Sequence, residues 1–205
     1  MPELFGDSLF QAVEKNPVGP GSLLIAAPDL DMGYFTRSLL LVLSHDETGS
    51  LGLTLNLRSE QAVANFLPEL DELVAKPKAI YSGGMSGMHM LRTVGVLKPG
   101  VTVADAEAQE FIFGHLGNRI VVLNGGIDVD ILKEWVSAVR LFAGQVTWEP
   151  GLLQREIDEG QWYVTDALSS DVTSPGHIDA WAEALRRQPL PLPLFATTPN
   201  DDRNN

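Results

Sequence analysis

The sequence predicts an α+β protein built around a mixed, largely antiparallel sheet, and three observations predict it. Apolar runs at residues 23–27, 39–43 and 120–123 have strand length and fall far short of the ~18 residues a membrane span needs. The run at 39–43 turns back on itself through a hairpin, and strands outnumber strong crossover helices in the first half of the chain. At 205 residues, with 44% hydrophobic and 20% charged residues, the chain can build one sizeable core. A core of that size buries roughly 70% of the surface the unfolded chain exposes.

The elements follow in order. A short helix is expected around residues 8–14, ended by the Pro/Gly-rich break at 17–21. Residues 23–26 form a strand that stops at Pro28, which has no N–H to donate to a ladder. A loop over 29–33 leads through Phe35 to a second strand at 38–44. Asp46-Glu-Thr-Gly49 supplies turn chemistry, with Gly49 available for positive φ, and 51–56 returns as a third strand with Leu51, Leu53 and Leu55 alternating. Ser59 is expected to cap a helix carrying Ala62, Phe66 and Leu67 up to Pro68, with a second short helix at 69–74. Residues 79–81 form a strand ending in Ser82-Gly-Gly-Met-Ser-Gly87, and 88–96 is extended. Lys98-Pro-Gly100 turns, and a β-rich passage runs to Leu123.

Asp128 or Asp130 caps a helix to about Ser137, with Ile131, Leu132 and Trp135 on its apolar face; a strand at 139–143 precedes Gly144. Pro150 stands where a first helical residue belongs, since its missing N–H is not needed there. In that helix Leu152, Leu153 and Ile157 face inward, Gln154, Arg155, Glu156 and Asp158 face outward, and Gly160 is the stop. A strand follows at 162–165. Ser174-Pro175 opens the last helix, whose Ile178, Trp181, Ala182 and Leu185 recur at i, i+3, i+4 and i+7. Beyond Arg187 the proline-rich stretch 189–193 is extended and 197–205 is polar. The organisation is an N-terminal extension (1–20), a single domain (21–188) and a flexible tail (189–205), with no internal repeat.

Composition excludes several functions. The 27 acidic against 14 basic side chains leave a net charge of −13, a field that repels phosphate backbones and anionic lipid surfaces. Direct nucleic-acid or membrane binding is therefore not expected. The absence of cysteine removes disulfides, thiolate metal sites and cysteine nucleophiles, which suits a cytosolic protein. The segment 1–15 has neither a basic start nor a continuous apolar stretch, so no targeting signal is read there. His45, His89, His115 and His177 show no i, i+2 or i, i+4 pair, and no metal site is expected. No P-loop, dinucleotide fingerprint or G-x-S-x-G elbow occurs, and no cofactor is expected.

What remains is a set of candidate ligand-binding residues: Arg37, Ser38, His45, Asn56, Gly83 and Gly84. Antiparallel pairing across the hairpin brings Asn56 to the Arg37 end of the sheet, where together they could offer a fork of donors to a carboxylate or phosphate. Arg37 could equally pair with Asp29 or Asp31. His45 is either a turn histidine bonded to backbone or a general base. Seven residues of strand span about 23 Å, so Arg37 and His45 meet at one substrate only if the strand bends sharply. Gly83, Gly84 and Gly87 read as a tight turn or as an anion nest. Trp148 and Trp162 are core anchors or ligand platforms, and the helix start at Pro150 offers free N–H groups to an anion.

Several stretches together resemble the bacterial YqgE/AlgH family: Gly21-Ser-Leu-Leu-Ile-Ala-Ala-Pro28, Phe35-Thr-Arg-Ser38, His45, Gly49-Ser-Leu-Gly-Leu-Thr-Leu-Asn56, Ser82-Gly-Gly84, and Trp148 with Gly151-Leu-Leu-Gln-Arg-Glu156 and Gly160-Gln-Trp162. Their order and spacing match from Gly21 to about Leu185. The resemblance implies a branched sheet that includes a small barrel, surrounded by helices, in a bacterial cytosolic protein. It implies no established reaction, and members are often labelled transcriptional regulators. The sequence has no helix-turn-helix and no basic recognition helix, so a regulatory role would be indirect. The expectation is a non-catalytic regulatory or binding protein that recognises a protein partner or a small anionic ligand. The rival is a hydrolase using His45 as base and Arg37 as clamp.

Overall fold

The computed structural model describes residue 13 and residues 15–30, 33–108, 112–126, 128–176 and 178–197. The helix expected at 8–14 lies outside them except for Val13. Ten strands form one mixed, largely antiparallel sheet that curls into half a barrel, with six α-helices around it among the described residues. The path starts at β1 (Ser22–Ala26), fully buried, which pairs antiparallel with β2 (Leu39–Asp46). β2 turns into β3 (Gly49–Thr54), setting Leu40 opposite Thr54 and His45 opposite Ser50, with a bulge between Val42 and Ser44. The hairpin expected around Gly49 is present, and Gly49 has φ +134°.

β4 (Arg58–Ala62) pairs antiparallel with β5 (Ala79–Ser82). β6 (Ser86–Leu97) is long, and the passage after it holds the helix α1 (Val103–Glu107) before β7 (Ile112–His115) and β8 (Ile120–Leu123). α2 (Val129–Trp135) is capped by Asp128, whose side chain accepts from the N–H of Asp130. β9 (Val136–Trp148) is the branch of the sheet. Along one flank it pairs with β6; along the other it meets β5 in parallel through Phe142 and Ala143, then β3 antiparallel through Val146 to Trp148. α3 (Leu152–Asp158) leads into β10 (Trp162–Asp166), which closes on β1. α4 (Ser169–Val172), α5 (Ala180–Arg186) and α6 (Leu192–Phe195) complete the chain. Two apolar clusters fill the fold. One is centred on Leu23–Ala27, Leu39–Val42 and Trp181, the other on Val63, Leu97, Leu132 and Val139.

Five expectations are corrected. Residues 58–62 form an edge strand, not a helix: Ser59 Oγ donates to the Ile80 carbonyl at 2.7 Å, so pairing with β5 overrides the helical spacing. The helix expected at 69–74 is one 3-10 turn, Pro68–Leu70. Pro150 is not the first helical residue, because Gly151 at φ +74° is the cap and the helix opens at Leu152. Ser174-Pro175 does not open the last helix. Asp179 caps it instead, accepting from the N–H of Ala182 at 3.0 Å, while Ser174 is held elsewhere by its carbonyl. The stretch expected to run extended at 189–193 turns into α6, and Leu192 is fully buried in the first cluster. Among the described residues, no helix is long and apolar enough to cross a membrane.

Candidate functional site

Val139-Arg140-Leu141-Phe142 reads as buried strand, and burying it places a guanidinium inside the protein. Arg140 is 1% exposed. Its carbon Cζ stands 4.3 Å from the centre of the Tyr81 ring. Nη1 donates to the Ser174 carbonyl and Nη2 to the Lys76 carbonyl, each at 3.1 Å. Nε is buried and has no hydrogen-bond partner among the described residues, and no ion pair there involves this guanidinium. Burial pushes its pKa below the ordinary arginine value, with the Tyr81 contact opposing that shift. Arginine nonetheless stays charged in proteins. A cation removed from water without a counter-charge is a costly arrangement, of several kcal/mol in order of magnitude.

Beside it lies a cavity of about 80 Å³, lined by Arg140, Arg58, Tyr81, Asn56, Ser174 and Ile178 with their neighbours. Arg58 opens β4 opposite Tyr81, and its side chain leans toward Gly176, with Nη1 3.8 Å from where a Cβ on that glycine would stand. Among the described residues, the cavity lining therefore has two guanidiniums and no carboxylate. Leu55, Ile178 and Ala180 supply an apolar side. One wall comes from Ser174, Pro175, Gly176 and Ile178, which belong to no regular element, and from Ala180 at the start of α5.

The residues singled out from sequence are distributed as follows. Arg37 and Asn56 share one end of the sheet, as the pairing of β2 with β3 requires. They meet through backbone: Asn56 Nδ2 donates to the Arg37 carbonyl at 2.9 Å, and Oδ1 accepts from the N–H of Leu39 at 3.0 Å. The Arg37 guanidinium pairs with Asp179 and lies over the Trp181 ring, 4.1 Å from its centre. Ser38 is buried and its hydroxyl donates to the Phe35 carbonyl at 2.8 Å. His45 sits at the far end of β2, with Nδ1 2.7 Å from Ser50 Oγ across the hairpin. β2 runs on without turning back between Arg37 and His45, so the two do not surround one small substrate.

Gly83 joins strands. Its N–H donates to the Ala143 carbonyl at 2.8 Å and its carbonyl accepts from the N–H of Thr54 at 2.9 Å. A Cβ on Gly84 would stand 2.1 Å from the Gln145 carbonyl carbon. Both glycines thus serve the close approach of backbones where β3, β5 and β9 converge. Of the six sequence-derived residues, Asn56 alone is among those that line the cavity. Arg140, Arg58, Tyr81 and Ser174 are not among the site residues the sequence suggests, although a charged residue inside an apolar strand is a usable signal for Arg140.

Glu156 also departs from its expected place. It turns inward, and its Oε2 accepts from both indole N–H groups, Trp148 and Trp162, each at 2.9 Å. Those tryptophans are core anchors, 6% and 2% exposed. Among the described residues, no group of three or more His, Asp or Glu is placed to hold a metal ion.

Comparison with known proteins places this architecture. A family model described as AlgH-like matches residues 23–193. A UPF0301 protein of Corynebacterium efficiens is 44% identical over 205 residues, covering all of both chains. One from Corynebacterium glutamicum is 40% identical over 193 residues, 94% of this chain and 100% of the relative. The crystal structure of a Corynebacterium diphtheriae protein superposes with a TM-score of 0.88 at 43% identity, covering 95% of this chain and 100% of that one. The solution structure of the AlgH protein from Pseudomonas aeruginosa shares the fold at a TM-score of 0.58 and 19% identity, over 92% and 98% of the two chains. The chain belongs to the AlgH-like, UPF0301 family.

Proposed function

We propose that the chain is a non-catalytic binding protein of the bacterial cytosol that takes a small anion into the cavity between Arg140 and Arg58. The observation that carries this is the buried Arg140 guanidinium, which has no ion-pair partner among the described residues and belongs to a side chain lining a cavity with no carboxylate among its described lining residues. An anion there supplies the missing counter-charge, and Arg58 at the same cavity offers it the charge-assisted contacts that make arginine bonds strong. About 80 Å³ suits one carboxylate or phosphate group, given that a single water needs ~10–15 Å³ on such a measure. The net charge of −13 keeps extended polyanions away, so a regulatory effect would run through a small ligand or a protein partner and not through DNA.

The test is calorimetric titration of the full chain with inorganic phosphate and, separately, acetate, at low chloride. Arg140→Met should abolish binding of whichever anion the wild type takes. Arg58→Ala, an exposed change that leaves the core intact, should weaken it about tenfold, the loss of one charge-assisted contact worth ~1.4 kcal/mol. Affinity unchanged in both variants sinks the proposal.

The hydrolase reading now has one observation of its own, the 2.7 Å contact between His45 Nδ1 and Ser50 Oγ. It lacks an orienting acid among the described residues, since Asp46 Oδ1 accepts from the N–H and hydroxyl of Thr48. A fluorophosphonate probe should leave Ser50 unlabelled; labelling that Ser50→Ala removes would favour the enzyme instead.

A further inference from the structure

Away from the anion cavity, the chain concentrates sulfur in one place. Three of its five methionines, Met85, Met88 and Met90, lie within six residues, with His89 among them. Methionine is usually buried, yet these three are 67%, 64% and 38% exposed, and His89 is exposed too.

The backbone explains how they gather. Ser86 pairs with Gln145 and Leu91 with Ala143, so four residues of β6 stand opposite one residue of β9, Gly144. Residues 87–90 are pushed out of the ladder as a bulge, the device by which strands re-aim side chains. Gly87 takes φ +60° and turns the bulge. The Met90 side chain folds back over that turn: its Cε lies 2.4 Å, and its Sδ 3.9 Å, from where a Cβ on Gly87 would stand. The Met90 thioether therefore sits beside the turn that leads directly into Met88 and His89.

We propose that the 85–90 bulge is a binding site for a soft monovalent metal ion of the Cu(I) class. Thioether sulfur and neutral imidazole are soft to borderline donors that suit Cu(I) and not Mg²⁺ or Mn²⁺. Between Ser82 and Arg92 there is no Asp or Glu to recruit a hard cation. The cation nearest in sequence, Arg92, is turned to Gln145, donating from Nε and Nη2 to Oε1 at 3.3 and 3.1 Å. The acidic field of the whole chain raises the local concentration of any cation. Binding is simple coordination, with no change of oxidation state.

The test uses the full chain labelled with methyl-¹³C methionine and titrated with Ag⁺, a redox-inert ion of the same class. The Met85, Met88 and Met90 methyl signals and the His89 ring should shift together and saturate at one equivalent, with Met1 and Met32 unmoved. The double variant Met88→Leu/Met90→Leu keeps the apolar area but removes two sulfurs, and should weaken Ag⁺ binding at least tenfold. Zn²⁺ should leave the three methyls unmoved. Unshifted methyls, wild-type affinity in the leucine variant, or an equal response to Zn²⁺ would each overturn the site; retained Ag⁺ binding in the leucine variant would leave the bulge an apolar contact surface only.

Discussion

Replacing Arg37 by alanine and by glycine separates a structural guanidinium from a ligand-binding one. Arg37 stands at φ +53°, in the left-handed region, where a residue with a Cβ is strained by ~1 kcal/mol or more relative to glycine. Its guanidinium pairs with Asp179 and stacks on Trp181 at 4.1 Å, while its carbonyl accepts from Asn56 Nδ2, a backbone contact that either substitution keeps. Asp179 is half exposed, so the ion pair contributes about 0.2–1 kcal/mol. The Arg37 side chain is 15% exposed and Trp181 is fully buried, which puts the cation–π contact toward ~1–2 kcal/mol. Arg37→Ala loses both and keeps the strain, for a loss of about 2 kcal/mol. Arg37→Gly loses both and sheds the strain, for about 1 kcal/mol. The order reverses the usual one, in which glycine is the more damaging substitution. Urea unfolding followed by tryptophan fluorescence resolves such differences. If Arg37→Gly proves less stable than Arg37→Ala, or if Arg37→Ala lies within 0.5 kcal/mol of wild type, the guanidinium does not anchor the start of α5 at Asp179 and Trp181 and the reasoning fails.

Two further predictions concern the core. Glu156→Ala leaves two buried indole N–H groups without an acceptor and should cost about 2–4 kcal/mol in urea unfolding, whereas Glu156→Gln keeps an acceptor and should cost about 1 kcal/mol; equal losses in the two would show that the shared carboxylate oxygen is not what matters. Gly83→Ala would put a Cβ 2.5 Å from the Gly144 carbonyl oxygen and 2.9 Å from Leu53 Cδ2, against backbone that cannot move without parting β5 from β9. About 3 kcal/mol or more should be lost, read as a fall in Tm of roughly 6 °C or more for a domain of this size; a change below 2 °C would mean the strand junction is looser than its geometry.

Much of the fold was legible because its signals are local. The hairpin at Gly49, the cap at Asp128, the stop at Gly160 and the alternating leucines of β3 follow from backbone chemistry within a few residues. The family resemblance drew on the Gly49 hairpin and Gly160, along with other segments. The misreadings fall where a distant partner decides. Residues 58–62 carry helical spacing, yet β5 claims them as an edge strand; Ser174-Pro175 looks like a helix start, yet Arg140 holds the Ser174 carbonyl and Asp179 does the capping. Glu156 reads as solvent-facing, yet two indoles eight and six residues away converge on it.

The candidate site divides in the same way. Sequence alone brought Arg37 and Asn56 to one sheet end, because antiparallel register is dictated by the turn between them. Only tertiary structure committed the Arg37 guanidinium to Asp179 and Trp181, 142 and 144 positions further along the chain, and gathered Arg140, Arg58 and Tyr81 around one cavity. Where near neighbours set an element, as in the Gly49 hairpin, it is written in adjacent residues. A charge's partner, or its lack of one, depends on what folding carries to it from far away in the sequence.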